Sequence, residues 1–155
     1  MSRAFVKEQD GSQVDQDLPE LVVSPHRNFV TAEGLAHIES ELQRLRASLT
    51  EARAAEDRSA IARLSRDLRY WSQRRASAEL VPAQADASVV RFGSGVVLEP
   101  DDGTRVRFRI VGEDEAAPAD GRISYVSPLA QALLGQRVGD AIDFAGCEAE
   151  IVAIE

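Results

Sequence analysis

The sequence has few of the residues that build disulfide-bonded, metal-binding and membrane-spanning proteins. Its 155 residues include one cysteine, Cys147, which excludes an internal disulfide and a cysteine-based zinc site. No apolar run approaches the roughly 20 residues that a membrane helix needs, and Met1 to Asp10 lack the hydrophobic core of a signal peptide. We therefore expect a cytoplasmic protein that makes no contact with a membrane, needs no cofactor and has no metal site of its own.

Bases are outnumbered by acids, and the imbalance is local. The net charge is −8, and residues 83–155 carry thirteen acids against six bases, whereas residues 31–82 carry eight acids and nine bases. Sequence-independent binding to duplex DNA depends on neutralising phosphates, so an acidic chain argues against it. Protein partners with basic surfaces are favoured instead.

Residues 31–82 show two helical patterns. Apolar residues recur at alternating steps of three and four, which places a narrow seam on each helix. The seams consist of Leu35, Ile38, Leu42, Leu45, Leu49 and Ala52, then of Ile61, Leu64, Leu68 and Trp71. The link between them, at about residues 55–59, is short enough to force antiparallel pairing. The pattern predicts an antiparallel coiled-coil hairpin, a rod of about 35 Å at 1.5 Å per residue.

The flanking regions have different patterns. Residues 1–30 are polar and acidic without helical or strand periodicity, which predicts a disordered arm. After the hairpin, residues 83–88 read as a linker. Residues 89–155 then show strand periodicity, a turn at 100–104 and a Ser127-Pro128 helix start. These features predict a small antiparallel sheet with one short helix, and the whole chain is expected to be of the α+β class.

Several motifs resemble the Gre family of bacterial transcription elongation factors, GreA and GreB. Residues 109–115, 121–124 and 127–140 are similar to the family's C-terminal domain. Thr31 to Leu35 are similar to the start of its coiled coil, and Arg69-Tyr70-Trp71 resembles the second coil arm of the GreB branch. Together the matches cover residues 31–155.

This resemblance implies a fold and a partner. The C-terminal domain of Gre factors is similar to FK506-binding proteins (FKBP-like) and docks on the rim of the RNA polymerase secondary channel. Their coiled coil enters the channel, where tip carboxylates help to hold a magnesium ion so that backtracked RNA is cut. We therefore expect RNA polymerase as the partner, nucleic acid only within that complex, and a monomer, because the hairpin pairs within one chain.

Candidate site residues follow from the same resemblance. The tip carboxylates would be Glu56 and Asp57, and polymerase-bound magnesium would be reached through Asp57. The polymerase-binding surface would include Asp114, Glu115, Ser127, Pro128 and Leu129.

The tip departs from the family pattern. The family motif Gly-Asp-x-Ser-Glu-Asn-Ala corresponds here to residues 56–62, where Asp57 and Ser59 agree but Ala60 and Ile61 replace Glu-Asn. Each arm is also shorter than a Gre arm by roughly 8 to 10 residues, or about 12 to 15 Å. A shortened coil on the same C-terminal domain resembles Rnk, the regulator of nucleoside diphosphate kinase, and this resemblance implies contact with polymerase without support of cleavage.

Three functions remain open on these residues. The first is a Gre-type factor that regulates elongation and stimulates transcript cleavage, acting as an accessory to polymerase rather than as an enzyme. The second is a Rnk-like regulator that binds polymerase without cleavage and competes with Gre factors. The third, a prolyl isomerase, follows from the FKBP-like fold but has few aromatic residues for its pocket. Glu56 and Asp57 are equally explained as acids of an exposed turn, and the arginines of the second helix as a solvated face.

Overall fold

The computed structural model describes residues 18–155 and contains a helical hairpin joined to a small sheet domain. The hairpin part is formed by β1 (Asn28–Val30), α1 (Ala32–Ala54), α2 (Arg58–Ser77) and β2 (Ala78–Leu80). The sheet domain contains β3 (Gly95–Pro100), β4 (Val106–Val111), β5 (Arg122–Ser124), α3 (Pro128–Leu133), β6 (Ala141–Phe144) and β7 (Cys147–Ile154). Two 3₁₀ helices, Glu113–Glu115 and Pro118–Asp120, lie between β4 and β5.

The helical hairpin confirms the predicted pairing of the two seams. Five seam residues of α1 are buried, and Leu68 and Trp71 of α2 pack beside the cluster at the hairpin base. The buried residues of this seam are Ile38, Leu42, Leu45, Leu49 and Ala52. The first turn of α1 is closed by Thr31, whose Oγ1 accepts a hydrogen bond from the amide of Gly34 at 3.0 Å.

The base of the hairpin differs from the predicted boundaries. Strand β1 pairs in parallel with β2, with Asn28 opposite Ala78 and Val30 opposite Leu80. The predicted arm therefore ends in a strand, because Asn28 and Val30 are buried against the hairpin. Likewise α2 stops at Ser77 and the chain continues as β2, where the sequence had extended the helical arm. Residues 1–17, the rest of the predicted disordered arm, lie outside the described residues.

The sheet domain has a mixed sheet around one apolar core. Its strand order is β5-β4-β3-β7-β6, and every pair is antiparallel except β4 with β5. The prediction of a purely antiparallel sheet is therefore wrong at this edge. Between β4 and β5 the two 3₁₀ helices return the chain to the level of Arg109 on β4. Strand β5 therefore starts beside Arg109 and runs parallel to β4. The α+β class is confirmed, whereas the likeness to FK506-binding proteins stays a prediction.

The short helix α3 begins as the sequence predicts, and a glycine follows its end. Ser127 is its N-cap, since the Ser127 hydroxyl accepts a hydrogen bond from the amide of Ala130 at 3.2 Å. Pro128 occupies the first helical position, and Gly135 follows the helix with a positive φ of 86°. Within residues 18–155 no helix is both long and apolar enough to cross a membrane.

Candidate functional site

The hairpin tip is a tight turn closed by backbone hydrogen bonds. The Asp57 amide donates to the Ala52 carbonyl at 3.0 Å, and the Glu56 amide donates to the Arg53 carbonyl at 3.1 Å. This pair of bonds is the Schellman arrangement, which places a left-handed residue just beyond the helix. That residue is Glu56, with φ +54°. The family motif has glycine there, so the backbone conformation suits the motif although the residue does not.

The two predicted tip carboxylates are both exposed, but one oxygen of Asp57 already accepts a hydrogen bond within the chain. It is the N-cap of α2, and its Oδ1 accepts a hydrogen bond from the Ala60 amide at 3.0 Å. Within residues 18–155 there is no group of three or more His, Cys, Asp or Glu side chains that could hold a metal ion. Because magnesium takes six oxygen ligands in a near-octahedral shell, an ion at this tip would need most of its ligands from water and a partner.

The arginines of α2 are not a uniform solvated face. Exposed ion pairs join Arg69 to Glu20 at 2.5 Å and Arg75 to Glu39 at 2.9 Å. Arg74 differs from both, since its side chain is only 1% exposed. The expectation of a solvated face is therefore wrong at Arg74.

Arg74 is the centre of a buried polar network at the junction of hairpin and sheet domain. Its Nε donates to Oδ2 of Asp114 at 2.5 Å, and its Nη2 donates to Oδ1 of Asn28 at 2.7 Å. Tyr70 donates its hydroxyl proton to Oδ1 of Asp114 at 2.6 Å. A buried arginine on α2 with partners on β1 and on the first 3₁₀ helix fixes these three elements relative to one another.

The acids Asp114 and Glu115 face the hairpin, whereas the sequence predicted that they face a partner. The carboxylate of Asp114 is 11% exposed and bonded to Arg74, and Glu115 is 8% exposed. The Thr31 hydroxyl lies 2.7 Å from Oε2 of Glu115 and donates to its carboxylate. A Cβ on Gly34 would lie 2.5 Å from the same oxygen, so the glycine permits this close approach. Both acids therefore bind the two parts of the chain together.

The buried network changes the pKa of Tyr70. Burial of its phenol, aided by the hydrogen bond to the Asp114 carboxylate, raises the pKa of Tyr70 to about 12. Tyr70 therefore stays protonated and keeps donating to Asp114 throughout the physiological pH range.

An aromatic cluster joins β1 to the sheet domain beside this network. The ring of Phe29 lies 5.3 Å from that of Tyr125 and 5.9 Å from that of Phe92, measured between centroids. The approach is close, since a Cβ on Gly112 would lie 2.4 Å from the carbonyl oxygen of Phe29. The remaining two aromatic rings of the sheet domain, Phe108 and Phe144, pack on each other with centroids 5.6 Å apart. All four aromatic residues of the sheet domain, the ones that a prolyl isomerase pocket would have to use, thus make contacts within the chain.

The predicted docking residues at α3 are arranged on a rigid helix start. Pro128 is exposed, Ser127 is half-buried with its hydroxyl in the cap, and Leu129 is half-buried against the core. Of the five residues predicted to contact polymerase, Pro128 is therefore the most accessible.

Sequence reasoning missed Arg74, Asn28 and Tyr70 as site residues. One signal was available for Arg74, because a step of three from the seam residue Trp71 ends on it. An arginine at a seam position indicates a buried partner. Asn28 carried no such signal, since it lies in a segment without periodicity.

A helical hairpin with an exposed tip, fixed at its base to a small sheet domain, defines the structural class of this protein. Comparisons with known proteins identify the family. Residues 84–155 match the family "Transcription elongation factor, GreA/GreB, C-term". The chain belongs to this GreA/GreB family of transcription elongation factors.

Two GreB relatives support this assignment over most of the chain, and one solved structure beside them is a similarity only. Transcription elongation factor GreB of Xanthomonas axonopodis is 38% identical over 135 residues, which cover 74% of this chain and 80% of that protein. GreB of Pseudomonas aeruginosa is 34% identical over 129 residues, covering 71% and 77%. The solved GreA/GreB factor from Nitrosomonas europaea is 20% identical, with a TM-score of 0.42 over 82% of this chain and 98% of that chain.

Proposed function

We propose that this protein binds RNA polymerase at its secondary channel and regulates transcript elongation. The observation that carries the proposal is the 38% identity to a GreB factor over 80% of that factor's length. The structure supports it with a hairpin whose base is tied to the sheet domain through Arg74 and Asp114. A hairpin held in this way can enter a channel while the sheet domain stays on the rim.

The sheet domain would dock through the start of α3. Pro128 is exposed there, and the Ser127 cap holds the helix start in place. Pro128→Asp would place a charge in this contact and is expected to weaken binding to core polymerase about tenfold or more. Ala141→Asp, at an exposed position on the edge strand β6, is the matched control and should bind as the unaltered protein does.

The tip decides between two outcomes of binding. In the first, the free oxygen of Asp57 approaches the polymerase-bound magnesium and supports cleavage of backtracked RNA. In the second, the protein occupies the channel without cleavage, as a Rnk-like regulator that competes with Gre factors. The second outcome is favoured by Ala60 at the place of the family's second acid and by arms of only 23 and 20 residues.

Cleavage in stalled, backtracked elongation complexes tests both outcomes. Three variants separate the charge of Asp57 from its cap, because Asp57→Asn and Asp57→Ser keep a cap whereas Asp57→Ala removes it. Loss of cleavage in all three would assign the role to the carboxylate charge. Loss in Asp57→Ala alone would assign it to the structure of the tip.

The non-cleaving function has its own readout. It predicts that the unaltered protein does not stimulate cleavage but reduces cleavage by an authentic GreB factor in a concentration-dependent manner. A protein that neither cleaves nor competes, and that does not bind core polymerase, would refute the proposed function.

A further inference from the structure

Residues 18–27, here called the strap, run across the junction before the hairpin begins. Their polar contacts reach both parts of the chain. Glu20 pairs with Arg69 on α2 at 2.5 Å, and the Ser24 hydroxyl donates to Oε1 of Glu113 at 2.9 Å, on the 3₁₀ helix that follows β4. The first contact holds the strap to the hairpin, and the second holds it to the sheet domain.

The end of the strap repeats this alternation through one residue. The Arg27 guanidinium binds the carboxylate of Glu79 on β2, with Nε 3.1 Å from Oε1. The carbonyl oxygen of the same Arg27 accepts a hydrogen bond from the Tyr125 hydroxyl at 2.5 Å, from the sheet domain. Four contacts in sequence thus reach the hairpin, the sheet domain, the hairpin base and the sheet domain again.

The carboxylate of Glu113, which accepts the Ser24 hydrogen bond, has few other donors near it in the described part of the chain. Its Oε2 is buried and has no hydrogen-bond partner among the described residues, and the Arg74 guanidinium lies 3.8 Å away. The Ser24 hydroxyl donates a hydrogen bond to the other oxygen of this carboxylate, Oε1. Removing the hydroxyl would leave a partly buried carboxylate short of donors beside the buried network.

We propose that the strap holds the hairpin in a fixed direction relative to the sheet domain, with Glu20 and Ser24 as positioning residues for the tip. Cutting both contacts would free the strap between Leu18 and Pro25. The hairpin would lose the link that the strap makes through Glu20 and Ser24, and would sample a wider range of directions. The Arg74 network, the Phe29 cluster and the hydrogen bonds of Thr31 and Arg27 would remain. The consequence for polymerase binding rests on the proposed function, but the direction of the hairpin does not.

The direction can be measured between two labelled positions. Cys147 is a free, exposed cysteine on the sheet domain, and Ala55 is exposed at the tip, so Ala55→Cys completes a pair for spin labels. Pulsed electron spin resonance should give one narrow distance distribution for this protein. Glu20→Gln combined with Ser24→Ala should broaden it.

Controls separate the strap from general effects. Glu39→Gln removes an equally exposed ion pair within the hairpin, that with Arg75, and should leave the distribution narrow. Ser24→Thr keeps the hydroxyl and should retain the narrow distribution. Glu20→Arg alone should broaden the distribution by repelling Arg69, and adding Arg69→Glu should narrow it again. This comparison keeps the test valid if the first double variant unfolds.

Affinity for core polymerase provides the second readout. If the strap keeps most molecules binding-competent, the double variant should bind about three- to tenfold more weakly, because affinity falls with the competent fraction. An unchanged distance distribution in a folded double variant would overturn the proposal. Absence of polymerase binding by the unaltered protein would instead refute the proposed function, and the distance measurement would still decide about the strap.

Discussion

Asn28 and Arg74 are joined by two hydrogen bonds that run in opposite directions. Nη2 of Arg74 donates to Oδ1 of Asn28, and Nδ2 of Asn28 donates to the carbonyl oxygen of Arg74, both at 2.7 Å. The same guanidinium binds Asp114 on the sheet domain. Strand β1, helix α2 and the sheet domain therefore meet at one buried cation.

Replacing the Arg74 side chain should lower the free energy of unfolding. Arg74→Ala would leave Asp114 without its charge partner in a buried site, and we expect a loss of about 3 to 5 kcal/mol in the free energy of unfolding. Arg75→Ala is the matched control, since Arg75 is exposed and only pairs with Glu39 on the surface. Urea denaturation of both variants checks the prediction. Equal, small effects would show that the Arg74 network adds nothing to stability.

The tip should gain stability from a glycine. Glu56 has a left-handed backbone, which costs a residue with a Cβ about 1 to 2 kcal/mol relative to glycine. Glu56→Gly is therefore expected to raise the free energy of unfolding by about 1 kcal/mol. Ala54→Gly, two residues earlier in the last turn of α1, should lower it by about 0.5 to 1 kcal/mol. Thermal unfolding checks the prediction, because the midpoint temperature should rise in Glu56→Gly and fall in Ala54→Gly. A shift of both midpoints in the same direction would contradict it.

Alkaline pH should weaken the junction through Tyr70. Its pKa is about 12 in the native protein against 10.0 for an ordinary tyrosine, so the native state holds the phenolic proton more tightly than the unfolded state. This contribution to stability is fully present below about pH 10 and is lost as the pH rises towards 12. Tyr70→Phe should remove that part of the pH dependence in urea denaturation.

The phenol can also be observed directly. Because the chain has two tyrosines, Tyr125→Phe leaves Tyr70 as the only source of phenolate absorbance. We expect this absorbance to appear near pH 12 in the native variant and near pH 10 in urea. An appearance near pH 10 in both would contradict the burial of the Tyr70 hydroxyl.

Gly112 should be required for contact and not for its backbone conformation. Its φ of −69° suits any residue, but a Cβ would lie 2.4 Å from the carbonyl oxygen of Phe29. Gly112→Ala should push β1 away from the sheet domain and cost about 1 to 3 kcal/mol. Gly103→Ala is the control for backbone strain without a close contact, because Gly103 has a positive φ but open space around an added Cβ. Amide hydrogen exchange should accelerate at β1 and β2 in Gly112→Ala alone.

The regular elements were largely predictable because each depends on local sequence periodicity. The seam from Ile38 to Ala52 and the strands around Leu98 and Ile110 follow periods of 3.6 and 2 that a sequence displays directly. The Ser127-Pro128 helix start depends on residues within one turn. Local chemistry decides such features, so the sequence suffices for them.

The junction was not predictable for the opposite reason. Strand β1 exists because it pairs with β2, fifty residues later, and three residues such as 28–30 have no period of their own. Asp114 and Glu115 look the same in sequence whether their carboxylates face a partner or the hairpin. The direction of β5 depends on the path of the 3₁₀ helices, which residue types do not reveal. These features are set by contacts between distant parts of the chain.

The length of α1 makes the tip a long lever on a short pivot. Its 23 residues span about 35 Å, so a rotation of about ten degrees at the base moves the tip by about 6 Å. A carboxylate oxygen must lie within about 2 to 2.6 Å of a cation to coordinate it, so a rotation of about ten degrees at the base would break such a contact at the tip. The contacts at the base of the hairpin, the Arg74 network among them, thus decide where residues at its far end lie.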